Sequence, residues 1–256
     1  MSSEKEYSNY TTYQDAEDFK RLDFIVNSIK DLKKKDAYIL DIGCGNGNIS
    51  LALGALGYKV LGIDIDPVSI KNATELNTFD NVRFDVSDAN SFSINDNFDA
   101  VVCSEVLEHL DHPWELVKSI YRILKPGGIL VATVPNGQGP REVLVTRPML
   151  WLHSKNLGRP VEAFKRLLGY KNTTLQSSNE DLTHTQFFSV NSFRKLIENA
   201  GFVQRRWGSS NFISRIFPYS ILTRKSYILQ KLDCHVADYI PKQLASGFFT
   251  SWKKPA

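Results

Sequence analysis

The sequence predicts an α/β fold in which helices cover both faces of a doubly wound, parallel β-sheet. Short β-branched segments alternate with helical segments through the first half of the chain, as in parallel βαβ units. A glycine-rich turn follows the first of these strands, which is typical of such sheets where they bind a nucleotide-like ligand. The 256 residues suffice for one large domain, or for a core domain with a small cap.

The elements of the first half are predicted in chain order. Residues 37–41 form a buried strand that ends in the glycine-rich turn, and residues 48–56 form a helix that Gly57 closes. Pro67 suits the first turn of the helix that follows the second strand. A later helix predicted at residues 113–124 places Leu116, Val117 and Ile120 on one face, and the segment 125–128 then turns the chain. The further strands of this half are predicted at residues 59–65, 81–84, 98–103 and 128–134.

The regular alternation stops after the fifth strand. Residues 136–181 are basic and aromatic, and they predict an insertion, partly helical at 162–168, that covers the carboxyl edge of the sheet. Regular structure is predicted to resume with a helix at 189–200 and strands at 202–207 and 247–252, with an excursion at 211–239. The predicted organisation is an N-terminal lid and helix (1–36), a cofactor-binding core (37–137), an insertion or cap (138–186) and the rest of the core (187–256).

Charge is distributed unevenly along the chain. Residues 1–137 contain 13 Lys/Arg and 21 Asp/Glu, whereas residues 138–256 contain 18 and 7. The basic half is suited to an anionic acceptor, a nucleic acid or a lipid surface, and a solvated face without a partner explains it equally well. Within the segment 141–171, basic residues alternate with bulky apolar ones, a pattern that suits peripheral membrane contact or a lid over the acceptor.

Cysteine usage and hydropathy predict a cytoplasmic location. The three cysteines are far apart in sequence, so neither a disulfide framework nor a metal cluster is expected. The N-terminus has no apolar stretch resembling a signal peptide, and the most apolar run, residues 129–135, is much shorter than the roughly 20 residues needed to cross a bilayer.

The strongest functional signal is the segment Leu40-Asp41-Ile42-Gly43-Cys44-Gly45-Asn46-Gly47. Glycines let the backbone adopt positive φ and approach a ligand closely. A dinucleotide-binding G-x-G-x-x-G pattern would require glycine at position 48, which is Asn48. A carboxylate at Asp41 would repel a pyrophosphate but can hold an ammonium group; the alternative is that Asp41 caps a helix or turn.

Two further carboxylates follow later strands. Asp64 ends the second strand 21 residues after Gly43, a position from which a carboxylate accepts hydrogen bonds from ribose hydroxyls. Asp88 follows the third strand, where it can accept the exocyclic amine of adenine while Ala89 lies near the ring.

These motifs, with the segments 98–105 and 125–128, resemble the class I S-adenosylmethionine-dependent methyltransferases over roughly residues 21–208. The resemblance implies a Rossmann-like sheet of seven mostly parallel strands with an antiparallel last strand, and S-adenosylmethionine as cofactor with S-adenosylhomocysteine as product. The residues expected to bind the cofactor are Arg21, Asp41, Gly43, Cys44, Gly45, Gly47, Asp64, Ile65, Asp88, Ala89 and Ser104.

Within this superfamily, residues 21–25 and 104–110 are most similar to the ubiquinone-pathway O-methyltransferases. This similarity implies that Arg21 reaches the carboxylate of the cofactor and that Ser104 contributes backbone contacts near the sulfur. The alternative for Arg21 is an ordinary surface helix residue.

Methyl transfer to a hydroxyl needs alignment and a base. His109 and His184 are the candidate bases, with Glu105 beside His109 as a further catalytic candidate. Glu105, Glu108 and His109 are a weaker candidate Mg²⁺ site; otherwise no metal is expected, and His109 and Glu108 have purely structural alternatives. Asn136, after the fifth strand, is a candidate for orienting the acceptor.

The acceptor is predicted to be a small molecule with a hydroxyl group, lipid-linked, quinone-like or glycan-related. The segment 104–107 lacks the Asn/Asp-Pro-Pro-Tyr/Phe motif of enzymes that methylate planar amines. The alternatives are an RNA methyltransferase that uses the basic half and a non-catalytic cofactor-binding scaffold. No recognisable nucleic-acid module supports the first, and the intact cofactor motif disfavours the second.

Overall fold

A seven-stranded sheet forms the centre of the computed structural model, which describes residues 6–89, 97–140, 142–148, 185–214, 216 and 218–256. The strand order is β3-β2-β1-β4-β5-β7-β6. The strands are β1 (Tyr38–Ile42), β2 (Lys59–Asp64), β3 (Val82–Val86), β4 (Phe98–Ser104), β5 (Leu124–Pro135), β6 (Val203–Ser209) and β7 (Gly247–Lys253).

The last strand differs from the others in direction. Strands β1 to β5 pair in parallel, whereas β7 inserts between β5 and β6 and is antiparallel to both. The predicted fold class, a mostly parallel seven-stranded sheet with an antiparallel last strand, is therefore confirmed.

Helices cover both faces of the sheet. The described α-helices are α1 (Ala16–Lys30), α2 (Asn48–Ala55), α3 (Pro67–Leu76), α4 (Pro113–Ile123), α5 (Val190–Glu198), α6 (Tyr219–Thr223) and α7 (Tyr227–Tyr239). Alternate residues of a strand point to opposite faces, and β4 shows the result: Val102 packs with α1 and α2, whereas Val101 and Cys103 pack with α4 and α5. Two apolar cores therefore enclose the sheet.

Strand β5 is longer than predicted. The segment 125–128, predicted as a turn, lies inside it, because Leu124 already pairs with Phe98 and the register then shifts before Ala100 pairs with Ile129. Gly127, at φ +79°, donates its N–H to the Lys254 carbonyl (3.0 Å). The glycine supplies a bulge within the strand, where the sequence pattern had indicated a stop.

The segment before α1 packs against the helix that follows the glycine-rich turn. A 3₁₀-helix spans Glu6–Tyr10, and the Thr12 N–H donates to Asn48 Oδ1 (2.7 Å) at the start of α2. Tyr13 is buried, and the Tyr7 hydroxyl donates to Asp23 of α1 (2.6 Å). The prediction that residues 1–36 include a lid stays a prediction.

The segment between β6 and β7 packs on α1. The buried Asp233 of α7 accepts the backbone N–H groups of residues 212, 213 and 214, at 2.9–3.1 Å. Lys20 of α1 donates to the carbonyls of Ser210 (3.1 Å) and Cys234 (2.6 Å), and Gln230 accepts the Ala16 N–H (2.9 Å). Polar contacts therefore fix α7 to the core.

Most of the predicted insertion, including the helix predicted at 162–168, lies outside the described residues. The described part of the insertion consists of a π-helix at Glu142–Thr146 and the residues beside it. Across the described ranges, every helix is too short or too polar to cross a bilayer.

Candidate cofactor and active site

The carboxyl ends of β1, β2, β4 and β5 meet along one edge of the sheet. Asp41 of β1 is in register with Gly62 of β2 and with Val102 of β4, and Ser104 of β4 is in register with Thr133 of β5. In parallel sheets this edge is where ligands bind. It brings together the predicted site residues of four separate sequence segments.

The glycine-rich turn has the backbone that its sequence requires. Gly43, Gly45 and Gly47 have φ values of +69°, +51° and +82°, in the left-handed region that favours glycine. A Cβ atom on Gly43 would overlap the Val106 side chain, which follows β4. The N–H groups of Gly43 and Cys44 both donate to the Ile63 carbonyl, at 2.8 and 3.0 Å. The turn is therefore locked against β2 and fits closely beneath the residues after β4.

Asp64 lies at the centre of this arrangement. Its Oδ2 accepts the Gly45 N–H (2.8 Å) and its Oδ1 accepts the Asp66 N–H (2.9 Å). An ionised carboxylate has about four acceptor positions, so the two oxygens keep capacity for further donors. The side chain is only partly buried, which leaves it accessible from the edge. A pair of vicinal hydroxyls, as in a ribose, matches this geometry.

The residues expected around adenine lie beside Asp64. The Ser87 N–H donates to the Asp64 carbonyl (2.9 Å), which holds the segment after β3 against the end of β2. Asp88 and Ala89 follow directly and are partly buried, and Ala89 packs on the apolar core. Ile65 is 60% exposed on the other side of Asp64, an apolar surface that a base can cover. The structure thus brings these three predicted residues to one place.

Asp41 is fully buried and its carboxylate is only half satisfied. Oδ2 accepts the Ser50 hydroxyl (2.6 Å) in the first turn of α2, whereas Oδ1 has no hydrogen-bond partner. Burial, opposed by the Ser50 hydrogen bond and assisted by the nearby Asp64 carboxylate, raises the pKa of this carboxyl to about 7. The helix contact expected of a capping role is present. The second oxygen remains available for a donor such as an ammonium group.

Arg21 is buried in α1, so the alternative of an ordinary surface helix residue is wrong. Its guanidinium donates to Asp18 (2.5 Å) and lies 3.9 Å from Glu105 Oε1, and its Nε has no hydrogen-bond partner. Burial alone lowers the pKa of the guanidinium, but acidic groups, chiefly those of Tyr13 and Glu105, raise it by more. A permanent cation therefore lies at the carboxyl edge with donor capacity unused.

Glu105 holds the turn after β4 in an unusual conformation. Its φ is +58°, a region that non-glycine residues rarely occupy outside functional sites. Its N–H donates to the Thr133 carbonyl (3.0 Å), and its Oε1 accepts the Thr133 hydroxyl (2.9 Å). The same hydroxyl is 2.9 Å from that of Ser104. Thr133 thus fixes both predicted site residues at the end of β4.

Glu108 and His109 follow in a 3₁₀-helix, Leu107–His109. The Glu108 side chain is buried, and neither of its carboxylate oxygens has a hydrogen-bond partner. Burial raises the pKa of this carboxyl well above its usual value, and Glu105 raises it further. His109 Nε2 lies 3.8 Å from Glu108 Oε1. No group of three or more His, Cys, Asp or Glu side chains within the described ranges is arranged to hold a metal ion, which leaves the suggested Mg²⁺ site without structural support.

Three further candidates have different outcomes. His184 lies outside the described residues; the next residue, Thr185, donates its N–H to the Glu108 carbonyl (2.9 Å). Asn136 is fully buried and donates to the carbonyls of Gln243 and Ala245, both at 2.8 Å. Its expected role in orienting an acceptor is therefore replaced by a structural one. Cys44 is buried, and burial raises the pKa of its thiol well above the usual value, which disfavours the thiolate that a nucleophile requires.

The sequence interpretation missed Thr133 and the burial of Glu108. Thr133 is the one hydroxyl residue within the apolar run 129–135, a signal that was available. The burial of Glu108 had no such signal, because the residues that hydrogen-bond to its turn, 185 and 186, are far away in sequence.

Comparison with known proteins identifies the family. The model of a methyltransferase-domain family matches residues 14–205. The chain is therefore a member of the S-adenosylmethionine-dependent methyltransferases. The predicted family, the cofactor it uses and the fold class are confirmed.

The methyltransferase is similar to several quinone-pathway enzymes over part of its length. It is 40% identical over 106 residues to the mitochondrial ubiquinone biosynthesis O-methyltransferase of Rattus norvegicus, covering 38% of this chain and 30% of the relative. It is 32% identical over 169 residues to the 2-methyl-6-phytyl-1,4-hydroquinone methyltransferase of Synechocystis, covering 65% of this chain and 46% of the relative. The matched part thus spans less than half the length of these relatives.

Solved structures support the fold over nearly the whole methyltransferase. An S-adenosylmethionine-dependent methyltransferase from Methanosarcina mazei matches with a TM-score of 0.58 at 22% identity, covering 89% of this chain and 96% of that one. An N-methyltransferase from Bradyrhizobium japonicum, solved with S-adenosylhomocysteine, matches with a TM-score of 0.57 at 14% identity, covering 95% of this chain and 90% of that one. At these identities the likeness concerns the fold alone.

Proposed function

We propose that this methyltransferase transfers the methyl group of S-adenosylmethionine to a hydroxyl group of a small, quinone-like acceptor. The observation that carries the proposal is the Asp64 carboxylate, which two backbone N–H groups orient beside the glycine-rich turn. The names of the relatives, which include ubiquinone and hydroquinone methyltransferases, support a phenolic acceptor.

In this proposal Asp64 accepts the two ribose hydroxyls, and the adenine lies against Ile65 and Ala89 with its amine toward Asp88. The unpartnered Oδ1 of Asp41 accepts the ammonium of the methionine part, and the Arg21 guanidinium donates to its carboxylate. The positive-φ glycines leave space for the chain between them. The two charged groups of the methionine part thus meet Asp41 and Arg21, each of which has a buried polar atom without a hydrogen-bond partner in the structure.

The acidic edge also favours substrate over product. The donor carries a sulfonium charge that is lost when the methyl group leaves, so the product is less positive by one charge. Asp41, Asp64 and Glu105 place carboxyl groups along this edge, and opposite charges attract more strongly where water is excluded. We therefore expect S-adenosylhomocysteine to be held less firmly by electrostatics than the donor, which assists turnover.

For the chemical step we propose His109 as the base. The acceptor oxygen forms a bond to the methyl carbon as the carbon–sulfur bond breaks, and His109 takes the hydroxyl proton. The Glu108 carboxyl lies 3.8 Å from His109 Nε2 and is placed to orient the imidazole ring. His184 remains the second candidate, and Glu105 acts through Arg21 and Thr133 to hold the turn.

The test combines binding and transfer. Calorimetry should detect binding of S-adenosylmethionine, and a donor labelled in its methyl group should transfer label to a simple catechol or hydroquinone. Bulk RNA serves as the comparison acceptor. A folded protein that fails to bind the donor would contradict the cofactor site. Label that passes to RNA but to neither phenol would contradict the acceptor class and favour the basic half as a nucleic-acid surface.

A further inference from the structure

Helix α7 presents its large apolar side chains to solvent. Four of them, at i, i+4, i+8 and i+11, lie within about 80° of one another on a helix that turns about 100° per residue. Two are among the most exposed apolar side chains described, Ile228 at 79% and Tyr239 at 78%. We call this set the outer face of α7: Ile228, Leu232, Val236 and Tyr239.

The opposite side of the helix faces the protein and is small or polar. It carries Gln230, Asp233, Cys234 and Ala237. Gln230 and Asp233 accept backbone N–H groups of residues 16 and 212–214. The amphipathic pattern is therefore inverted relative to an ordinary surface helix, whose apolar stripe faces the core. Hydrogen bonds fix this orientation, so the exposed stripe is not a consequence of a loosely placed helix.

Further exposed apolar side chains lie in the helix directly before α7. Ile221 and Leu222 of the short helix α6 are 39% and 59% exposed just before it. Exposed apolar side chains grouped on one face of a helix mark a place where something else binds.

The charges around the outer face are positive. Lys225 lies between α6 and α7, and Lys231 lies over the Tyr227 ring (4.8 Å from its centroid). The acidic residues between positions 219 and 242 are Asp233, which is buried, and Asp238, which pairs with Lys20 at 2.7 Å. An apolar stripe bordered by lysines, with a tyrosine at one end, is the arrangement of helices that lie in the interface of an anionic membrane.

We propose that the outer face of α7, continued by α6, docks this methyltransferase onto an anionic lipid surface. Pairing of this face with a second copy would place the lysines of both copies close together, which opposes association. Helix α1 connects α7, which carries this face, with the active site. Lys20 of α1 binds the Cys234 carbonyl of α7, while the next residue, Arg21, reaches Glu105 at the sheet edge. Lipid binding through this face requires neither cofactor nor acceptor.

The test is sedimentation with lipid vesicles, either phosphatidylcholine alone or phosphatidylcholine mixed with anionic phosphatidylglycerol. We expect wild-type protein to bind the anionic vesicles and to be released by high salt. The double variant Ile228→Gln/Leu232→Gln should lower partitioning by at least about tenfold. Lys225→Gln and Lys231→Gln should each lower binding to anionic vesicles by about fivefold.

The matched control is Leu76→Gln/Val203→Gln, which removes two apolar side chains of similar exposure, 51% and 58%, from other surfaces. It should bind vesicles as wild type does, and circular dichroism should show that all variants remain folded. Failure of the wild type to bind anionic vesicles, or an equal loss in the control, overturns the proposal. A concentration-dependent dimer that Ile228→Gln/Leu232→Gln abolishes, seen by analytical ultracentrifugation, would instead assign the face to self-association.

Discussion

The carboxyl edge of the sheet and the outer face of α7 differ in which of their groups lack a partner. At the edge, polar groups are buried without partners: Oδ1 of Asp41, Nε of Arg21 and both carboxylate oxygens of Glu108. On α7, the buried Asp233 accepts three N–H groups while large apolar side chains remain in solvent. Unpartnered polar groups inside a protein and exposed apolar stripes are both costly.

The difference indicates two kinds of partner. Buried polar atoms can be satisfied only by a ligand that carries complementary donors and charges, which requires specific geometry. Exposed apolar side chains can be buried against any apolar surface, because the free energy gained depends on the area that is buried and not on specific geometry. The first region therefore points to a single small molecule and the second to an extended surface, and four predictions test this division.

The largest effect is expected at the base. His109→Ala should lower turnover by about 10²–10⁴-fold with unchanged affinity for S-adenosylmethionine, because it removes proton transfer but no cofactor contact. His184→Ala is the parallel test of the second candidate. His235→Ala, on α7 against the Tyr239 ring, is the control and should leave turnover of a water-soluble acceptor unchanged. If both His109→Ala and His184→Ala turn over like wild type, neither histidine is the base.

Asp41→Asn should change the free energy of unfolding and the affinity for S-adenosylmethionine in opposite directions near neutral pH. The folded-state pKa of Asp41 is raised from 3.8 to about 7, so in wild type the stability linked to this group is greatest below pH 3.8 and decreases as pH rises toward 7. Asparagine has no such titration. We therefore expect the free energy of unfolding of the variant, measured without cofactor, to rise relative to that of the wild type between pH 4 and pH 8, by up to ~4 kcal/mol.

The same variant should bind S-adenosylmethionine more weakly, because the ammonium group loses its charged acceptor. Denaturant titrations at several pH values, with and without cofactor, measure both effects. A difference in unfolding free energy that does not change with pH would show that Asp41 is ionised at no cost in the folded protein.

Asp64→Ala should weaken binding of S-adenosylmethionine by about 100-fold, since the ribose hydroxyls lose a charged acceptor and the glycine-rich turn loses its hydrogen bond from Gly45. Asp85→Ala is the matched control, because Asp85 is an exposed carboxylate near the end of the neighbouring strand. Calorimetry on both variants measures their affinity for S-adenosylmethionine. Equal affinity in the two would remove Asp64 from the cofactor site.

The smallest effects concern two consecutive residues of α7. Asp233→Ala should lower the free energy of unfolding by about 2 kcal/mol, because three backbone N–H groups lose their acceptor. Leu232→Gln should change it by less than about 0.5 kcal/mol, because its side chain is exposed. A large loss of stability for Leu232→Gln would mean that the outer face is covered within the protein itself.

Much of the fold could be predicted from the sequence because the alternation of strands and helices is regular between residues 37 and 134. The site carboxylates could be predicted because Asp41, Asp64 and Asp88 each lie at or just after the carboxyl end of a strand, and the ends of parallel strands meet at one edge. The boundary of β5 was wrong because its first residues pair across a bulge, which depends on Phe98 of another strand.

Other features lay beyond sequence reasoning for a physical reason. The apolar spacing of Ile228, Leu232 and Val236 identifies one face of a helix but does not say whether that face points inward. Its direction is set by Asp233 and Gln230, which bind backbone groups far away in sequence. The turn that carries Glu108 is likewise held by residues far away in sequence, because the N–H groups of residues 185 and 186 donate to the Glu108 carbonyl.

The position of β7 has a consequence for synthesis on the ribosome. β7 fills the gap between β5 and β6, yet it is made after both of them. Until residues 247–253 emerge, neither β5 nor β6 has β7 as its partner, so the apolar run of β5 has an unpaired edge, and unpaired edges recruit other chains. Trp252 also reaches the core only at that moment. Premature termination shortly before residue 247 would therefore produce an aggregation-prone fragment that contains every cofactor motif.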